Sequence, residues 1–119
     1  MMDRVDRIQL AVASADTAAQ TFNTLLGAEV VNRKPSPYLA ANRTILALGE
    51  SEVELCEPDG SGIVADFLSE RGEGLLSAGL CCATPGRLGE RISSLGFEVV
   101  QEDDQFYLPG DQHFGIPFV

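Results

Sequence analysis

The chain holds one histidine, His113, in the stretch GDQHFGIPFV. Imidazole changes charge near neutral pH, so a lone histidine is a candidate general base. No serine or cysteine nucleophile with a fitting motif accompanies it, and it falls in a turn, where exposed histidines are common. The cysteines are Cys56, Cys81 and Cys82. Neighbouring strand residues point to opposite faces, and no C-x-x-C spacing exists, so free buried thiols in a reducing compartment are expected. The phosphate loop and the G-x-G-x-x-G, H-E-x-x-H and G-x-S-x-G motifs are absent, and GEGLL at 72–76 is too short to cradle a phosphate.

Composition narrows the partners. The 119 residues suit one domain with its own core, and 45% are hydrophobic, which excludes a disordered chain. The net charge of −10 argues against nucleic acid, whose binding needs clustered Lys and Arg. It favours solubility, with a cationic ligand as the sharper reading. No apolar run approaches the roughly 20 residues of a membrane span. The opening MMDRVDRIQL lacks the layout of a secretory signal, so a cytoplasmic location and no membrane partner are expected.

The elements that must position any site come in two copies. LLGAEVV ends at Val31 and SLGFEVV at Val100, an offset of 69 residues. In RIQLAV, Ile8, Leu10 and Val12 alternate with Arg7, Gln9 and Ala11, the pattern of a half-buried strand. A helix follows, capped by Ser14 or Asp16, with Ala18, Phe22, Leu25 and Leu26 as its apolar stripe and Gly27 as its left-handed end. Strands are predicted at 28–31, about 38–48 and 52–56, which completes a βαβββ module over about 5–57. A linking helix at about 62–72 uses Ile63, Val64, Phe67 and Leu68 as anchors. The second module, about 74–119, opens with a strand at 75–82. Its helix is capped by Thr84, starts at Pro85 and carries Leu88, Ile92 and Leu95. Strands at about 97–101, 105–108 and 115–119 end it. Two such modules predict an α+β fold with a strongly curved, partly open mixed sheet around a cleft. Tyr38 and Tyr107 lie on strands that line it, as an aromatic wall for a flat ligand or as plain packing.

With this element order, DRIQLAV at 6–12, TFNTLLGAEVV at 21–31, ELCEP at 54–58 and FLSERGEGLLSAGL at 67–80, the chain resembles the vicinal oxygen chelate superfamily. That group includes glyoxalases, methylmalonyl-CoA epimerases, bleomycin-resistance proteins and extradiol dioxygenases. The last two segments look most like the epimerase and glyoxalase branch. The resemblance implies a cleft in each cupped sheet, often metal-filled, with two His and two Glu or Gln on the first and last strands of the modules. Carried over, the first histidine position falls at Arg7 and the first carboxylate at Glu54. The second histidine falls at Ser77, or at Leu76 with the 69-residue offset. The last carboxylate falls near Pro117 to Val119, where there is none. One ligand of four survives, and a guanidinium at a former ligand position repels a cation. No metal and no cofactor are therefore expected.

Arg7 and Glu54 then read either as a ligand-binding pair, the guanidinium holding a carboxylate or phosphate, or as a salt bridge in place of the metal cluster. Gln9 and Ser77, on the same inward faces, either donate hydrogen bonds to a ligand or are solvated locally. The expected function is metal-free binding of a small molecule, after the pattern of bleomycin-resistance proteins, by a protein that pairs as a homodimer. The alternatives are a lyase or isomerase in which Arg7 steadies an oxyanion and Glu54 is the base, or a non-catalytic module of a larger assembly.

Overall fold

The computed structural model describes residues 2–103, 105–110 and 117–119. Strand β1 (Met2–Ala11) begins five residues before the alternating stretch RIQLAV. Helix α1 (Ala15–Leu26) starts where the Ser14 hydroxyl accepts from Thr17 N–H and ends at Gly27, whose φ of 70° needs no side-chain accommodation. Strands β2 (Glu29–Ser36), β3 (Ala41–Leu48) and β4 (Ser51–Pro58) form antiparallel pairs, and β4 returns parallel to β1. Helix α2 (Ile63–Arg71) leads to β5 (Gly74–Cys82), and the sheet order is β2-β3-β4-β1-β5. Helix α3 (Pro85–Ser94), β6 (Val100–Glu102) and β7 (Gln105–Tyr107) follow. The architecture is α+β, with an open mixed sheet.

The backbone divides into two compact units, Arg7–Leu76 and Met1–Asp6 with Ser77–Val119. In the first, the core lies between α1 and one sheet face: Val12, Ala15, Ala19, Ala28, Leu46, Val53 and Leu55 are buried, with Ile8, Leu10, Ala18 and Phe22 packed against them. The expected helix stripe holds at Ala18 and Phe22 and fails at its C-terminal end. Leu25 and Leu26 are 73% and 57% exposed, and the small Ala15 and Ala19 face the sheet instead. Strand β2 is longer than predicted because it is a solvated edge. Its polar NRKPS pairs with β3 after a bulge at Val31, and the bulge, Lys34 and Pro35 discourage further pairing along that edge.

In the second unit, β5 bridges Phe118 in parallel at Ala78, and Phe118 bridges Leu108 in antiparallel fashion. That repeats the first-with-last strand pairing of β1 and β4. Thr84 precedes α3, but its side chain makes no capping bond, and Leu95 is 65% exposed instead of completing the stripe. On α2, Val64 is buried while Ile63 is 37% exposed.

The close approach of the β2–β3 turn to the start of α2 gives a sharp test of packing. Ala40 takes φ 49°, and a Cβ built on Gly62 would lie 2.6 Å from the Ala40 Cβ. Neither atom belongs to a flexible side chain. Gly62→Ala is expected to cost about 1–3 kcal/mol in urea unfolding, whereas Ala40→Gly, which relieves a left-handed alanine, is neutral or stabilising. Equal losses in both variants would contradict this account of the turn.

Candidate functional site

Strand pairing sets the polar face. Gln9 pairs with Glu54 across β1 and β4, and Ile45 with Glu54 across β3 and β4, so Arg43 lies diagonally beside Glu54 on the same face. This is the face turned away from the α1 core, because Leu10, Val53, Leu55 and Leu46 occupy the alternate positions.

Glu54 is 0% exposed, a position a carboxylate occupies only when its charge is met. Gln9, also 0% exposed, donates from Nε2 to Glu54 Oε2 at 2.6 Å. Arg43, 3% exposed, donates from Nη1 to Oε1 at 2.7 Å. Arg7 Nη1 stands 3.8 Å from the same Oε1, an ion pair beyond hydrogen-bond reach. Both carboxylate oxygens are thus engaged from within the chain. The structure brings Arg7, Gln9 and Glu54 together, as neighbours on adjacent strands.

Arg43 was not among the sequence candidates, although its phase was readable. The two-residue turn Gly49–Glu50 fixes Leu48 opposite Ser51, which sets Ile45 opposite Glu54, and Arg43, two residues before Ile45, shares that face. A positive residue on the same strand face as Ala41, Ile45 and Ala47 calls for a buried counter-charge.

The remaining candidates lie elsewhere. Tyr38 is not on a strand: it is half-buried in the turn between β2 and β3, because Ser36 Oγ accepts from Leu39 N–H and closes the turn there. Ser77 is buried on β5, in the other compact unit. Tyr107, buried on β7, donates its hydroxyl to Gln105 Oε1 at 3.1 Å. His113 lies outside the described residues.

Among the described residues the donor set around Glu54 does not fit the divalent ion that the resemblance implies. Among the described residues no group of three or more His, Cys, Asp or Glu is placed to hold a metal. The carboxylate at the matching position already accepts from Gln9 and Arg43. Cys56, on the same face of β4, offers no thiolate. Burial, then the Glu54 charge, pushes its thiol from the ordinary 9.0 up to about 12, with Arg43 pulling weakly the other way. At pH 8 a reagent for thiolates is expected to modify Cys56 roughly a thousandfold more slowly than in urea, since three pH units separate the two states. Mass mapping of alkylated peptides reads this directly, and equal rates with and without urea would contradict it. The contribution of this thiol to stability is complete below pH 9.0 and is lost as pH rises towards about 12, because only the unfolded chain ionises readily.

A hollow of about 370 Å³ opens beside the start of α1, bordered by Asp16, Arg33, Lys34, Arg43, Thr44 and Glu57. Its wall is largely self-satisfied. Arg33 bonds Asp16 at 3.1 Å and Thr44 at 3.0 Å, and Glu57 accepts from Ala15 N–H at 2.7 Å. On the polar face of β1, β3 and β4, by contrast, Gln9, Arg43 and Glu54 are buried, and their desolvation is met by the contacts among them.

No protein-family profile matches the chain. The uncharacterized protein YqjC of Bacillus subtilis is 28% identical over 123 residues, spanning 99% of this chain and 83% of that protein. The methylmalonyl-CoA epimerase of Mycobacterium tuberculosis superposes with a TM-score of 0.84 at 21% identity, covering 96% of this chain and 83% of that one. A Streptomyces coelicolor methylmalonyl-CoA epimerase variant, in complex with 2-nitronate-propionyl-CoA, gives 0.85 at 19% identity, covering 99% and 92%. The chain therefore has the fold of these epimerases, a fold of the vicinal oxygen chelate superfamily.

Proposed function

We propose, from the fold shared with methylmalonyl-CoA epimerases, that the protein binds a small molecule against the polar face of β1, β3 and β4 without a divalent ion. The observation that carries this reading is the buried Glu54 carboxylate, with one oxygen held by Gln9 and the other by Arg43. In a metal-dependent relative the resemblance implies a carboxylate or amide there as a ligand. In this chain an arginine takes the ion's electrostatic place, and Arg7 stands where a histidine is implied. Glu54 is a poor candidate base for chemistry next to a carbonyl, since accepting a substrate proton would require breaking one of two short contacts.

The protein acts as a homodimer in this reading. Leu25, Leu26, Val30 and Val31 support it, as four exposed apolar side chains close together around the end of α1 and the start of β2. No helix of the described residues is long and apolar enough to cross a membrane.

A thermal-shift screen tests the binding function, with propionyl-CoA and methylmalonyl-CoA, a hemithioacetal and a cationic drug, each with and without EDTA. The expected result is stabilisation by one ligand class that chelator leaves unchanged. Stabilisation that appears only on adding zinc, nickel or cobalt would overturn the metal-free reading.

A further inference from the structure

The two guanidinium groups around Glu54 are not equivalent. Arg43 meets the carboxylate at 2.7 Å. Arg7, with 17% of its side chain accessible, approaches only to 3.8 Å, and its Nε is buried with no hydrogen-bond partner among the described residues. Arginine carries five N–H donors in a rigid fork, and leaving such donors unmet inside a protein is costly. Glu52 faces Arg7 in the strand register but forms no ion pair with it. The single negative charge of Glu54 is thus met most closely by Arg43, and Arg7 remains a more distant cation whose side chain is partly accessible.

We infer that Arg7 is the anchor for a ligand carboxylate, so that the small molecule bound on this face is a monoanion rather than a cation. The inference rests on the reading of this face as the ligand site. Charge limits the ligand class. Glu54 lies within 4 Å of the Arg7 fork, and a dianion placed there would meet that carboxylate as well as the guanidinium. A planar monocarboxylate matches the fork with two parallel N–H···O bonds. The sequence-level expectation of a cationic ligand, drawn from the net charge of −10, is replaced by the local arrangement. The distributed acid of the chain governs solubility and slows the approach of anions, and it does not set what the buried pair binds.

NMR titration of the 15N-labelled full chain tests this, using acetate and propionate, their amides, sulfate, and a small alkylammonium ion. Arginine Nε–H signals and strand amides are followed in wild type and in Arg7→Gln. The expected result is a shift of the Arg7 Nε–H signal and of the Gln9 and Glu54 amides with the carboxylates alone, with affinity lowered about 10–100-fold in Arg7→Gln. The amide spectrum of the variant reports that it is folded, and Arg7→Lys, a cation without the fork, recovers only part of the affinity. If amides or alkylammonium shift the same strand signals equally, or Arg7→Gln binds carboxylate unchanged, the face is a ligand site but Arg7 is not its anion anchor. If sulfate competes as well as carboxylate, the monoanion assignment fails. If no probe, and none of the thioester ligands of the thermal screen, moves these strands, both this inference and the ligand site fall.

Discussion

Replacing Glu54 by glutamine is expected to lower the unfolding free energy by about 3–5 kcal/mol, because it strands the buried Arg43 charge with no counter-ion. For a chain of this size that is a fall in Tm on the order of 10–25 °C. The side chain keeps its shape and the contact to Gln9 can survive, so the loss isolates charge. Arg7 cannot compensate, since it is itself positive and was never Arg43's partner. The companion variant is Glu54→Gln with Arg43→Met, which removes both charges at similar volume. It is expected to recover most of the loss, and the double-mutant cycle should show strong coupling. A cost for Glu54→Gln no larger than that of an exposed ion pair, under about 1 kcal/mol, would mean that the cluster is solvated and that its geometry has been misread.

The next residue along the same strand gives a second large effect by a different route. Leu55 is 0% exposed and points the other way, into the core beneath α1. Leu55→Ala is expected to cost about 2–5 kcal/mol through lost burial and the cavity left behind. The backbone around it is fixed by pairing on both sides, to Thr44 and to Leu10, so collapse into the space is limited. The two adjacent variants should separate by behaviour. Leu55→Ala should leave carboxylate binding at Arg7 intact in the folded fraction. A second substitution of Arg43 should rescue Glu54→Gln but not Leu55→Ala. Rescue of both would point to general loosening of the strand rather than to distinct charge and packing faces.

Much of this geometry was readable in the sequence, and the failures have physical causes. Alternation in RIQLAV correctly separated Gln9 and Arg7 from the core-facing Ile8 and Leu10, because a strand has only two faces. The order of elements in the first module followed from Ser14, Gly27 and Gly49, residues that cap or turn the chain. The helix stripe is right at Ala18 and Phe22, but large side chains are over-weighted at its end: α1 also packs through Ala15 and Ala19, while Leu25 and Leu26 remain outside. Strand β2 was cut short because an exposed edge strand is polar on both faces and looks like a loop. Arg43 was passed over because the resemblance directs attention to inherited ligand positions. The sequence offers Arg7 and Glu54 either as a ligand-binding pair or as a salt bridge, and the closer partner of Glu54 is Arg43, from the strand on the other side of β4.

The most direct test of the central claim is elemental analysis after equilibrium dialysis of the full chain against cobalt, nickel and zinc in turn, followed by desalting. The cobalt and nickel samples are also examined in the visible for d–d bands. No stoichiometric metal and no such bands are expected, because the carboxylate at the matching strand position is already held by Gln9 and Arg43. One equivalent of tightly held ion in wild type, lost on substituting Glu54, would contradict it.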